Sequence, residues 1–145
     1  GERMKVALEA NSSEDEHDCF SDNTHNSHFY NGLGIRNVYL GEYTRVDGNK
    51  ISGPSLSSLV AKADATADAT LKADLNATQA KLQVIVDHAN KSEHFDQLIA
   101  AGNTQGNQIV RDAIASLVTQ TGAIEQAATK LGITDLNPDN ADHEL

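Results

Sequence analysis

Read as a succession of apolar and polar positions, the chain holds one long regular pattern and several shorter ones. After Pro54, the residues Leu56, Val60, Ala63, Ala67, Leu71, Leu75, Thr78, Leu82 and Ile85 recur every three or four positions, close to the α-helical period. The spacing predicts one helix from Ser55, as N-cap, to about Asp87, roughly 50 Å long at ~1.5 Å per residue. Within it AKADATADATLKAD has low complexity, yet it keeps the stripe and sets Asp68 one turn before Lys72. It therefore reads as helix and not as disorder.

A second long helix is predicted from Thr104 to Leu131. Its stripe is Ile109 or Val110, Ala113 or Ile114, Leu117, Thr121, Ile124, Ala128 and Leu131, and Gly132 ends it in a left-handed cap. Glu2 to Ala10 reads as a short helix with Met4, Ala7 and Leu8 on one side. No capping residue precedes Glu2, so the start reads as a cut through a helix already under way. The polar run NSSEDEHD follows, rich in side chains that compete for backbone hydrogen bonds and favour turns. Ser21 or Asp22 is then expected to cap a helix reaching about Tyr43, with Asp22 in its first turn facing the positive end of the dipole. The stripe of that helix is Tyr30, Leu33, Asn37, Leu40, Tyr43 and Thr44, with Ile35, Val38 and Tyr39 beside it. Gly32, Gly34 and Gly41 each cost about 1 kcal/mol against Ala inside a helix, so they signal a bend or the close approach of another backbone or a ligand. VDGNKISGPS reads as a loop, His88–Ser92 as a connector, HFDQLIAAG as one or two helical turns, and residues 133–145 as a polar tail.

Amphipathic helices joined by loops predict an all-α, up-and-down, four-helix-bundle-like fold. At 145 residues the chain is about one domain, able to bury roughly two-thirds of its unfolded surface. A composition 39% hydrophobic but only 4% aromatic, without Trp, suits helices closing on small side chains better than a β-sandwich. The formal net charge of −10, with Lys and Arg scattered, repels nucleic acid and anionic lipid, so neither is an expected partner. No stretch approaches the ~18 apolar residues of a membrane span, and the start does not resemble a signal peptide. The chain as given is expected to be soluble, and a start that is a cut carries no information on compartment.

The chemistry concentrates in EDEHDCFSDNTHNSH, residues 14–28, which holds three of the six histidines and the only cysteine. With a helix starting near Asp22, the residues Asp22, His25 and Phe29 share a face, and His28 lies about 120° away around the axis. Neither HExxH nor CxxC is present, so no recognised zinc spacing exists. Three readings stay open. Glu16, His17, Cys19, Asp22, His25 and His28 suit iron or zinc chemically. Acids at a helix start and histidines on a wet surface is the plainer reading and the favoured one. A nucleophilic pair of Cys19 with His17 or His25 lacks an oxyanion-hole segment. Cys19 has no internal disulfide partner; a buried thiol is expected, with an intermolecular bridge or a metal ligand as alternatives. His88, His94 and His143 fall in connectors or the tail and read as structural or surface residues.

GERM, EDEHDCFSDNTH, NVYLGEY, FDQLIAAGNTQGNQIV and a late LGI together resemble the imelysin family of bacterial iron-regulated and insulin-cleaving-type proteins, over nearly the whole chain. The resemblance implies a protein of two packed four-helix bundles, this chain being the C-terminal half and the N-terminal half of the same protein its partner. It implies a ligand site between the halves, with a GxHxxE motif supplied by the N-terminal half; no histidine here has that context. By resemblance Asp22, Asn23 and His25 line that site, followed by Glu16 and His17 and then Arg3; no catalytic residue is carried over. It further implies a periplasmic or outer-membrane location in a Gram-negative-type bacterium, a lipid anchor outside this chain, and iron or zinc as the metal of the full-length protein. Iron, haem or a metal chelate is the implied ligand. Three functions follow: a binding component of iron acquisition, a metallopeptidase that is inactive as this piece, or a structural half-bundle.

Overall fold

Helices make up nearly all regular structure in the computed structural model, which describes residues 2–136. In chain order they are α1 (Glu2–Ala10), a 3-10 turn (Ser13–Asp15), α2 (Thr24–Leu40), a hairpin of β1 (Glu42–Thr44) and β2 (Lys50–Ser52), α3 (Leu56–Ala63), α4 (Ala65–Ala89), α5 (Phe95–Ile99) and α6 (Thr104–Lys130). The all-α bundle predicted from periodicity is the fold observed. His143 and the end of the polar tail lie outside the described residues, and residues 133–136 carry no regular structure.

The long helices are antiparallel because their cross-links climb one helix while descending the other. Lys130 pairs with Asp64 at 2.8 Å, the Thr78 hydroxyl donates to the Ser116 carbonyl at 3.1 Å, and Lys81 pairs with Asp112 at 2.9 Å. On another side of α4, Arg36 of α2 donates to Asn76 at 2.9 Å and Tyr39 donates to Asp68 at 2.9 Å. Two apolar cores fill the bundle. Near the start of α6, Met4, Ala7 and Leu8 of α1 meet Leu82 and Ile85 of α4, Phe95, Leu98 and Ile99 of α5, and Val110 and Ala113 of α6. Toward the other end, Tyr39, Val60, Leu71, Leu75, Ala123 and Ala127 pack together.

Six expectations need correcting. The helix predicted from Ser55 to Asp87 is two helices, broken at Asp64, whose backbone is extended and whose carboxylate accepts from the N–H groups of Thr66 and Ala67 at 3.0 Å each. An Asp N-cap outcompetes a continuous turn there, and an apolar stripe does not register caps. Ser55 caps α3 as expected, accepting from the Ser58 N–H at 3.0 Å. The helix predicted to Tyr43 stops at Leu40 because Gly41 takes a left-handed turn, φ 63°. Tyr43 and Thr44 then enter a strand, and the supposed loop VDGNKISGPS contains its partner, with Tyr43 opposite Ile51.

At its other end α2 begins at Thr24, after Asn23, and its first turn holds no acid. Asp22 is outside it, in a left-handed conformation at φ 51°. The buried face of α2 is also not the predicted stripe. His25, His28, Gly32 and Tyr39 face inward, while Tyr30 is 63% and Val38 70% exposed. Gly32 explains the choice: a Cβ there would stand 2.6 Å from Leu82 Cδ1, so α2 approaches α4 through a position with no side chain. In α6 the buried positions past Leu117 are Gln120, Ala123 and Ala127, with Ile124 and Leu131 partly buried; the stripe lies about one residue earlier than predicted.

Asp68 ties three helices together. It is buried and accepts from Tyr39 of α2 at 2.9 Å, Ser57 of α3 at 2.7 Å and Lys72 of α4 at 2.7 Å. Burial alone would raise its carboxyl pKa, but hydrogen bonds from Lys72, Ser57 and Tyr39 outweigh burial and hold it below the ordinary value. A carboxylate whose folded value lies below its unfolded one stabilises above the unfolded value and loses that contribution as pH falls through the folded value. Asp68→Ala, which strands the Tyr39 and Ser57 hydroxyls, is expected to cost about 3 kcal/mol at pH 7 and to remove part of the loss of stability below pH ~4. Urea melts at pH 3 and pH 7 check both. Gly32→Val is expected to cost about 1–3 kcal/mol through overpacking against Leu82; a urea midpoint equal to the parent's would refute the close α2–α4 approach.

Candidate functional site

The loop between α1 and α2 is held to the helix start by short polar links. Thr24, fully buried, accepts from the Asp18 N–H at 3.0 Å and donates from its hydroxyl to the Glu16 carboxylate. Ser27, one turn into α2, donates to the Asp18 carboxylate. These links bring Glu16 inward from the end of the 3-10 turn, where it is only 7% exposed. Asn11 anchors the loop's other end, donating to the Ile99 carbonyl at 2.7 Å.

Around this loop the histidines collect. His25 and His28 are 6% and 7% exposed, which overturns the reading of both as wet-surface residues; His17 alone of the three stays exposed. His94 starts α5 and brings its Nδ1 to 2.9 Å from an Asp22 carboxylate oxygen. Its ring meets His25 edge-on, centroids 5.7 Å apart. His28 sits 5.4 Å from Phe95 and 6.1 Å from His17, centroid to centroid. The left-handed turn at Asp22 aims its carboxylate at His94 instead of at the end of α2.

Four buried polar atoms of this cluster make no hydrogen bond: Glu16 Oε2, His25 Nδ1, His28 Nε2 and His94 Nδ1, the last of which lies 2.9 Å from the Asp22 carboxylate without hydrogen-bond geometry. Asn26 Nδ2 lies 3.1 Å from His25 Nε2, which accepts from it in the tautomer that carries its proton on Nδ1. Each such atom costs roughly 1–3 kcal/mol while it stays unmatched. Burial lowers the His25 pKa and the neighbouring His94 adds to the shift, against a smaller opposing pull from Asp22. Burial, with His17 and Arg3 adding positive charge, lowers His28 to about 4, and Asp18 opposes them. Burial raises Glu16; the Thr24 hydrogen bond opposes it, while Asp96, Asp22 and Asp18 add negative charge that raises it further. The end of the bundle thus offers neutral imidazoles and an elevated carboxyl inside a ring of acids.

Of the residues expected at a ligand site, Asp22 and His25 meet through His94, and Glu16 shares their electrostatic neighbourhood. Asn23 is exposed and accepts from Asn26 at 2.8 Å. Arg3 is exposed and reaches the cluster only through its charge on His28. Cys19 is a free thiol, half-buried and not the buried one expected. His94, Asp96 and Thr24 join the cluster without having been expected. His94 and Asp96 lie some seventy positions from Asp22 in sequence, and no local pattern marks them. Thr24 had a legible sign, a small hydroxyl beside a helix start.

A metal shell is not preformed. Among the described residues no group of three or more His, Cys, Asp or Glu is placed to hold a metal ion, so the six candidate ligands do not fit one by themselves. No helix among the described residues is long and apolar enough to cross a membrane.

In comparisons with known proteins, the profile of the family described as Imelysin, Peptidase M75, matches residues 1–124. No curated protein matches the chain.

His28 makes the fold pH-sensitive. Its folded value lies below the unfolded value of about 6.5, so the unfolded chain binds its proton first and stability falls as pH drops from about 6.5 toward 4. The elevated Glu16 acts with the opposite sign, losing stability as pH rises through its folded value. His28→Phe, stacked on Phe95, is expected to flatten the slope between pH 4.5 and 6.5, a change of up to about 3 kcal/mol across the window. Denaturant midpoints measured across that window test it, and a slope unchanged in the variant counts against the assignment.

Proposed function

This chain belongs to the imelysin family, and we propose that it is the C-terminal half of a ligand-binding protein of iron or haem acquisition, with its site between this bundle and an N-terminal half. The protein is periplasmic or outer-membrane-associated in this reading. The observation that carries it is the set of unpartnered, buried atoms on Glu16, His25 and His28 beside the Asp22–His94 pair. A domain with a purely structural role gains nothing from such atoms, and each of them destabilises it. A ligand that supplies hydrogen bonds recovers that cost on binding.

The acids Asp18, Asp22 and Asp96 around Glu16 favour a ligand that presents positive charge or a metal over an anionic one. Residues of this chain orient and hydrogen-bond the ligand; they do not build a metal shell alone. For the peptidase reading, no general base or zinc set can be named among these residues, and the chain contains no GxHxxE segment.

Metal analysis and calorimetric titration with ferric citrate, zinc and haemin, run on the full-length protein and on this chain side by side, test the proposal. The full-length protein is expected to bind at least one of them, and Asp22→Ala or His25→Ala to weaken binding about tenfold, the loss of one charged or buried hydrogen bond. Uptake by this chain alone would overturn the shared site. Binding indifferent to both substitutions, or none by the full-length protein, would overturn the ligand role of this end.

A further inference from the structure

Away from the histidine cluster, α2 turns a ridge of every fourth residue to the surface. Tyr30, Gly34 and Val38 stand exposed along it, and a hollow lies on each side. On one side an apolar groove of about 670 Å3 runs between α2 and α6, with Ile124 and Ala128 on its far wall. Helix α3 packs against α2, α4 and α6, and its Leu56 and Val60 line the groove. That corner of the bundle is therefore already occupied, and the groove is a furrow in the outer surface, not an empty helix seat. On the other side a second hollow of about 660 Å3 lies between α2 and the hairpin, lined by Tyr43 and Ile51.

The ridge and its two hollows make one apolar face. Tyr30, Ile35, Val38, Tyr43, Ile51 and Leu56 are each 40–70% exposed. Half open on average, six side chains of this size carry on the order of 600 Å2 of apolar surface. That is the upper end of what a monomer ordinarily exposes, and with a polar rim it approaches the ~800 Å2 that each partner of a stable dimer contributes. The chain has a formal net charge of −10, yet of the residues lining the two hollows only Glu42 is charged, and it is paired with Arg36 and Lys50. Covering the face therefore strands no charge. A basic partner would find no free acid on it, and an acidic partner no free base. What fits is another neutral, apolar ridge.

We propose that this face seats a second copy of the chain, the two α2 helices crossing antiparallel on a two-fold axis at Gly34. A two-fold contact pairs a patch with itself, and the ridge has the symmetry for it. Tyr30 and Val38 stand four residues to either side of Gly34, so each Tyr30 meets the Val38 of the other copy about 6 Å from the axis, at ~1.5 Å per residue. Ridges of this spacing interlock when two helices pack closely. Gly34 supplies the closeness. A Cβ there meets nothing within 4 Å, whereas one at Gly32 would strike Leu82, so Gly32 serves the inside of the bundle and Gly34 serves no contact within it. A helix-interior Gly costs about 1 kcal/mol against Ala, and a contact across the axis gives that cost a return. The inference does not rest on the ligand reading, which concerns the other end of α2.

Sedimentation equilibrium of this chain and of the full-length protein tests the proposal. Both are expected to dimerise with a Kd in the micromolar range. Because the copies carry like net charge, raising salt from about 0.05 to 0.5 M is expected to tighten the dimer. Gly34→Glu sets two carboxylates against each other at the axis and is expected to weaken it about a hundredfold. The Tm of the monomer is expected to hold or rise, since the new side chain enters open space and gains helix propensity. In a Cys19→Ser background, Gly34→Cys is expected to yield a disulfide-linked dimer on oxidation, and Val118→Cys, exposed but lining neither hollow, to yield none. A monomer of either form at about 0.1 mM, or a dimer that salt loosens or that Gly34→Glu leaves intact, would overturn the proposal. So would a dimer of this chain that the full-length protein does not form, since the other half would then be what covers the face.

Discussion

The contact of α2 and α6 with a single helix, α4, is the constraint from which the rest of the bundle follows. Leu71, Leu75, Leu82 and Ile85 point from α4 into both cores and are at most 2% exposed. With Phe95 and Tyr39 the only Phe or Tyr buried among the described residues, the bundle closes largely by bringing backbones near one another: Gly32 against Leu82 on one side, Ala123 and Ala127 on the other. Small residues permit close approach but supply little apolar area each, so polar cross-links fix the register. The Asp64–Lys130 pair and the Thr78–Ser116 bond lock α6 to α4, and Asp68 locks α2 and α3 to α4.

That economy explains which parts of the fold could be read from sequence. The α4 stripe and the bounds of α1 and α6 were legible because one face of each is buried along its whole length, which imposes a helical period on the sequence. Helix α2 was misread for the opposite reason. Its buried face is made of His25, His28, Gly32 and Tyr39, two imidazoles and a glycine that no apolar pattern detects, while its apolar residues Tyr30 and Val38 face the groove. The break at Asp64 and the hairpin after Gly41 depend on a cap and a left-handed turn, each a single-residue event that periodicity averages away.

The acid-histidine cluster was legible as composition but not as geometry. Residues 14–28 announced the residue types, yet burial of His25 and His28 depends on α5, which arrives from seventy positions later and places His94 and Phe95 against them. Asp22 was expected to cap α2 or to lie in its first turn, facing the positive end of its dipole. Its left-handed backbone instead turns the carboxylate toward His94, a tertiary choice that local propensity cannot express.

Two features then stand as departures from what a self-sufficient bundle would hold. At one end, buried nitrogen and oxygen atoms lack partners; along one side, apolar residues lack cover. The two are complementary in kind, since hydrogen-bonding groups satisfy the first and an apolar helix face the second. They are also neighbours along α2: His25 and His28 belong to its first turns and Tyr30, Gly34 and Val38 to its later ones. A single helix thus presents a polar, pH-responsive segment and an apolar one in succession, with the start of α1 at the level where one gives way to the other. Arg3 sits on the first turn of α1, and its positive charge bears on His28.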